Sequence, residues 1–138
     1  MSIPAKIPYL RLVTALTMAL SAIWIALEGN LARASLLAIA LTVVAAGHAV
    51  QRFLGGRRLR LPAWLLLCSI LGFIVGAGSA TVTLALMAVK SGLHAHGPEF
   101  NTVVIGQAVE RIPAWAVAGL LLGLGMGLLL AGIRGQVR

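Results

Sequence analysis

The chain has 138 residues, of which 60% are hydrophobic and only 10% are charged, and its mean hydropathy is +1.02. A soluble domain is usually about 45–50% apolar and about 25% charged, and a small domain has too much surface to hide this excess, so the composition excludes a water-soluble fold. The net charge of +8 does not indicate a nucleic-acid partner, because no basic face carries interleaved aromatic residues.

Four apolar stretches reach the length of roughly 20 residues that a membrane helix needs. They cover residues 9–27, 31–50, 61–89 and 113–133, and the longest connection is a loop over residues 90–112. The sequence therefore predicts an all-α integral membrane protein with one domain, residues 1–138, and a four-helix transmembrane bundle that runs up-down-up-down. The third stretch exceeds the thickness of the bilayer, so we expect it to tilt or to extend beyond the hydrocarbon.

The first stretch carries a polar stripe, formed by Thr14, Thr17, Ser21 and Glu28 at helical spacing. One interpretation is a path for an ion or a small cation that ends at the carboxylate, since an ionisable group inside a membrane is usually functional. The other is structural, because hydroxyls in helices often bond to their own backbone.

Ala32–Ala34 resembles a signal-peptide cleavage site, but the charges around it lead us to expect that this helix is retained.

The second stretch contains His48, about one turn from its end and four residues before Arg52. A neutral imidazole can bind a haem or a chlorophyll, which makes His48 a candidate cofactor ligand. No second histidine lies within an apolar stretch, so the alternative is a histidine that reaches the membrane surface. We therefore expect no cofactor.

The third and fourth stretches carry small residues every four positions. These are Gly72, Gly76 and Ala80 in the third stretch, and Gly119, Gly123, Gly127 and Ala131 in the fourth. Such a face lets two helix backbones approach closely in lipid. The pattern favours packing between these two helices, and the alternative is a contact with a second copy or a partner subunit. Both can hold, because the fourth stretch also has Gly125 and Gly132 on other faces. Cys68 is the only cysteine, so an internal disulfide is excluded.

The long loop holds His94, His96 and Glu99 within six residues. Imidazole and carboxylate are metal ligands, so the three form a candidate metal site, although a tetrahedral zinc site needs three protein ligands and water, or four. An ordinary polar loop is the alternative. Residues 101–111 of the same loop fit a short helix at the membrane surface, before the fourth transmembrane helix.

The distribution of basic residues predicts the orientation. The N-terminus, the loop between the second and third stretches, and the C-terminus carry eight: Lys6, Arg11, Arg52, Arg57, Arg58, Arg60, Arg134 and Arg138. The other side carries Arg33, Lys90 and Arg111, with all three glutamates, Glu28, Glu99 and Glu110. By the positive-inside rule, the chain is a multi-pass protein of the inner cell membrane with both termini in the cytoplasm, and membrane lipids are its first partners.

No nucleophile elbow, phosphate-binding loop or paired aspartates appear, so no enzyme activity is expected. The sequence favours a non-catalytic accessory or structural subunit that packs through its glycine-rich helix faces, in a homo-oligomer or a larger membrane complex. A small oligomeric transporter or channel that uses Glu28 is the alternative, and metal or cofactor binding through the histidines is a third hypothesis.

In size and helix number the chain resembles small multidrug exporters, which carry a glutamate in their first helix. Theirs sits in mid-helix, whereas Glu28 lies at the helix end. In size and basic composition the chain also resembles the small accessory protein encoded with ATP synthase. We therefore carry no functional residue over from either family.

Overall fold

The computed structural model describes residues 1–27, 30–93 and 100–136, with side chains as far as residue 133. Within these ranges the chain is helical, and its one β-type contact is an isolated bridge between Ser2 and Arg58. The helices are α1 (Leu10–Ala26), α2 (Leu31–Leu54), α3 (Leu61–Leu93), α4 (Thr102–Glu110) and α5 (Ile112–Gln136). The predicted all-α class is confirmed.

Three helices end later than the sequence predicted. We expected α2 to end at residue 50, α3 at residue 89 and α5 at residue 133, but they continue to Leu54, Leu93 and Gln136. Arg52 and Lys90 lie in the last turns, where a positive charge is favourable because the carbonyl groups at a helix C-terminus carry partial negative charge.

The short helix expected before the last long one is present as α4. The Asn101 side chain accepts a hydrogen bond from the Val104 N–H at 2.9 Å, which caps the helix start. Asn30 caps α2 in the same way, accepting from Ala32 N at 2.8 Å and from Arg33 N at 3.4 Å. Only Arg111 separates α4 from α5, so the two helices follow each other almost directly.

Three segments are long and apolar enough to cross a membrane, by length and composition: Leu31–Leu54, Leu61–Leu93 and Thr102–Ile133. Helix α1 is apolar but has 17 residues. At 1.5 Å per residue it is about 25 Å long, slightly less than the roughly 30 Å of a bilayer core.

Each long helix packs mainly on its neighbour in the chain. Helix α1 lies on α2, α2 on α3, and both α4 and α5 on α3, with by far the largest interface between α3 and α5. The order of the main contacts is thus α1–α2–α3–α5. We call the end that carries the loop between α2 and α3 the basic end, and the end that carries Lys90 the opposite end.

Many large apolar side chains lie on the surface of the protein, whereas a soluble protein buries most of them. Leu122 is 74% exposed, and large apolar residues such as Leu16, Leu20, Phe73 and Leu129 also point outward. A small buried cluster lies at the opposite end and consists of Trp24, Ala34, Leu37, Met87, Phe100 and Ala108. Contiguous apolar surface on this scale is rare on soluble monomers and is what a surrounding apolar phase would cover.

Candidate functional site

The predicted packing glycines of α3 and α5 meet at one interface, which we call the glycine seam (Gly72, Gly76, Gly119, Gly123 and Gly127). A Cβ atom built on Gly72 would overlap the Gly119 carbonyl oxygen and lie 2.9 Å from the Gly123 Cα. A Cβ on Gly119 would lie 3.0 Å from the Gly76 Cα. The two backbones are therefore in direct contact, and no larger residue fits between them.

The last glycine of the seam packs against side chains. A Cβ on Gly127 would lie 3.0 Å from the Cys68 Cβ and 3.3 Å from the Leu65 Cδ2. The Trp64 indole N–H donates to the Gly127 carbonyl at 3.1 Å. Cys68 is thus part of this interface, and Trp64 links its two helices.

Two further glycines of α5 lie outside the seam. A Cβ on Gly125 or on Gly132 would have no atom within 4 Å. At 3.6 residues per turn, positions seven apart share a face, and this face is roughly opposite the seam. Of the two interpretations of the glycine pattern, packing within the chain describes the seam, whereas a contact with another molecule remains a prediction for the Gly125 face.

The described part of the polar stripe on α1 lies against α2. Thr17 is buried, and it is seven residues from each of the two other buried residues of α1, Leu10 and Trp24. The hydroxyls of Thr14 and Ser21 donate to the Leu10 and Thr17 carbonyls, each at 2.8 Å. These hydroxyls bond to their own helix, as the structural interpretation expects. Glu28, on which the transport hypothesis depends, lies outside the described residues, so that hypothesis stays a prediction.

His48 bonds to the same stripe. Its Nε2 lies 2.9 Å from the Thr14 Oγ1. Because the Thr14 hydroxyl proton is directed at the Leu10 carbonyl, the consistent assignment is that His48 Nε2–H donates to the Thr14 oxygen. The His48 ring is exposed.

Among the described residues, no group of three or more His, Cys, Asp or Glu side chains could hold a metal. His94, His96 and Glu99 lie outside the described residues, so the metal hypothesis for that loop is untested.

The sequence placed Lys90 in a loop, which was wrong, because it is a buried residue of α3. Only 1% of Lys90 is exposed, and its ammonium group donates to the carbonyls of Trp24 at 3.2 Å, Ile25 at 3.4 Å and Leu27. The ammonium also lies 4.8 Å from the centre of the Trp24 ring, within cation–π range. Lys90 therefore caps the C-terminus of α1 from a helix two elements away.

The spacing of residues in α3 indicates that Lys90 lies on the packed face of the helix, but it does not indicate its partners. Ser79, Thr83, Met87 and Lys90 follow the three- and four-residue spacing of one helix face, and all four are buried. Trp24 contributes its ring and its carbonyl, but its indole Nε1 is buried and has no hydrogen-bond partner among the described residues. The Lys90–Trp24 contact can hold α1 and α3 together.

A second arrangement that sequence reasoning missed lies at the basic end. The extended N-terminal segment runs antiparallel to the loop between α2 and α3: Ile3 N donates to the Arg57 carbonyl at 2.9 Å, and Gly56 N donates to the Ile3 carbonyl at 3.0 Å. Leu59 N donates to the Met1 carbonyl, and the Met1 ammonium donates to the Leu59 carbonyl, both at 2.7 Å. The pairing is between main-chain groups, so residue types alone do not reveal it.

Comparison with family models, with curated proteins and with solved structures finds no match.

Proposed function

We propose that the chain is a non-catalytic structural or accessory subunit of the inner cell membrane. In this proposal four helices, α1, α2, α3 and α5, cross the bilayer up-down-up-down as a bundle, with both termini in the cytoplasm. The subunit acts by packing against a second copy or against a larger membrane complex, through the face of α5 that carries Gly125 and Gly132.

The membrane placement is supported by where the apolar surface lies. Three segments have the length and composition of membrane spans, and large apolar side chains point away from the helix contacts. Six exposed basic residues lie at the basic end, where the positive-inside rule would place the cytoplasm. Helix α1 has 17 residues and is a few ångströms shorter than the hydrocarbon layer is thick. It can span the layer if flanking residues extend it or if the bilayer is locally thinner.

The hydrogen-bond partners of the polar side chains support a packing role rather than a catalytic one. The hydroxyls of Ser69, Ser79 and Thr83 donate to carbonyls four residues earlier in their own helix, as those of α1 do. A hydroxyl used in this way directs its proton at its own helix, as a structural role expects. The buried ammonium of Lys90 is likewise directed at helix carbonyls.

The observation that carries the proposal is the contrast between the two glycine faces of α5. The seam face is closed by α3, whereas the Gly125 face has open space around both of its glycines and is lined by exposed Leu121 and Leu129. Within lipid there is no hydrophobic force between helices, so small residues that permit close approach are the usual basis of association. Gly125 and Gly132 offer a second such surface.

Blue-native electrophoresis and sedimentation of the full chain, extracted in mild detergent, test this proposal. We expect the wild-type protein to migrate as an assembly, and Gly125→Leu to shift it towards the monomer. Gly106→Leu in α4 is the matched control, because a Cβ there also meets nothing within 4 Å, and it should leave the assembly intact. A wild-type chain that is monomeric even after cross-linking in native membranes, with no co-purifying subunit, would contradict the proposal.

A further inference from the structure

The basic end of the molecule has a fixed backbone. Residues 1–3 pair with residues 56–59 through the four main-chain hydrogen bonds described above, and Ile7 N donates to the Gln51 side chain at 2.8 Å. Ile3 is only 4% exposed and anchors the N-terminal segment against the protein. A loop that served only to orient the chain in a membrane would need charge but no such scaffold.

This scaffold carries positive charge alone. We define the basic platform as the exposed basic side chains of the N-terminal segment, of the first turn of α1, of the last turn of α2 and of the loop that follows. They are Lys6, Arg11, Arg52, Arg57, Arg58 and Arg60. The three glutamates of the chain are at positions 28, 99 and 110, so none belongs to these segments. The platform therefore presents six positive charges and no carboxylate.

Exposed aromatic and apolar side chains belong to the same segments or directly follow them. Tyr9 is 77% exposed and Phe53 is 64% exposed, and Leu61 is also exposed at the start of α3. The Arg52 guanidinium lies 5.7 Å from the centre of the Phe53 ring. Aromatic rings beside basic residues are typical of the boundary between head groups and acyl chains. A lipid can satisfy both kinds of side chain, whereas an acidic peptide or a free anion would leave the apolar ones exposed.

We propose that the basic platform is a binding site for anionic phospholipid head groups, held in place by the pairing of the N-terminal segment with the loop between α2 and α3. The inference rests on the membrane placement of the proposed function, but not on its assembly. A basic residue close to an anionic membrane surface contributes about 1 kcal/mol, so neutralising two should weaken binding about 30-fold.

Native mass spectrometry of the full chain in detergent, titrated with phosphatidylglycerol or phosphatidylcholine, tests this inference. We expect phosphatidylglycerol to bind more tightly, and its affinity to fall about 30-fold in the double variant Arg57→Gln/Arg58→Gln. The matched control is Arg33→Gln/Arg111→Gln, which removes two exposed arginines outside the platform and should change the affinity less than threefold. Ile3→Asn removes no charge but disturbs the buried anchor of the N-terminal segment, so it should also weaken binding, and unchanged affinity in this variant would contradict the role of the scaffold.

Three results would overturn the inference: equal affinity for the two lipids, equal loss in both double variants, or full competition by inorganic phosphate. Saturable binding of a polyglutamate peptide that displaces the lipid would assign the platform to an acidic protein partner instead. Gly125→Leu separates this proposal from that of the assembly, because it should alter the oligomeric state without altering lipid affinity. Failure of either proposal is therefore visible without the other.

Discussion

Helices α5 and α1 are both attached to one main neighbour, but by different means. Helix α5 lies on α3 along the glycine seam, where main-chain atoms of both helices touch over about two turns. Helix α1 lies on α2 and is fastened near its two ends by side chains, through the Thr14–His48 hydrogen bond and through the Lys90 ammonium. The first contact is a close approach of two backbones, whereas the second combines the buried side chains Leu10, Thr17 and Trp24 with a few polar contacts.

In the proposed membrane setting, where water does not drive helices together, the difference shows two ways of joining them. Close approach of glycine backbones gains van der Waals contact along the whole interface, but it tolerates no added atom. A polar side-chain contact allows wider spacing, but its strength rests on single hydrogen bonds. Substitutions should therefore act on α5 through added volume and on α1 through lost polar groups.

The largest effect on the free energy of unfolding is expected from placing a larger residue in the glycine seam. Gly119→Leu places a side chain where even a Cβ would overlap the Gly72 carbonyl, so α3 and α5 must separate. We expect a loss of at least about 3 kcal/mol in the free energy of unfolding, because neither backbone can move away cheaply. Unfolding in a graded mixture of mild detergent and dodecyl sulfate measures this loss.

Gly132→Leu is the matched control for the seam, since it adds the same side chain to the open face of the same helix. Because Gly132 also belongs to the proposed assembly face, wild type and variant are compared as monomers, and the unfolding free energy should then change by less than about 0.5 kcal/mol. A similar loss in both variants would mean that leucine at any position of α5 is harmful and that the seam is not special.

The second largest effect is expected from removing the Lys90 ammonium. Lys90→Met keeps an unbranched side chain but leaves the last carbonyls of α1 without their donor, and we expect a loss of about 2 kcal/mol. Amides in the last turn of α1 should exchange hydrogen faster, whereas those of α5 should not change. Lys6→Met removes an exposed lysine and should have little effect on either measurement. Faster exchange along α5 in Lys90→Met would contradict a local role.

Periodicity and composition predicted most of the fold. The all-helical class, the short helix α4 and the two glycine rows followed from residue type and spacing, because in an apolar environment the backbone must satisfy its hydrogen bonds within helices. The ends of α2 and α3 were missed because the charges of Arg52 and Lys90 suggested loops. A charge in the last turn is compatible with helix, so charge alone is a poor marker of a helix end.

The sites were less predictable than the helices. The partners of Lys90 are main-chain carbonyls of α1, and the platform is held by main-chain pairing between residues far apart in the chain. Neither arrangement has a residue-type signature, since any sequence supplies carbonyl and N–H groups. The polar stripe was visible in the sequence, but only the fold shows that its described hydroxyls bond within α1 and that Thr14 also meets His48.

The smallest effect is expected at the Thr14–His48 contact, which a double-mutant cycle can isolate. Thr14→Val and His48→Ala each remove one partner, and the double variant gives the coupling between them. Hydrogen bonds between membrane helices average about 0.6 kcal/mol, and the exposed ring of His48 places this bond near or below that value. The cycle uses the same unfolding measurement as the seam variants. A coupling larger than the loss in Lys90→Met would reverse the ranking, and α1 would then be fastened mainly at its N-terminal half.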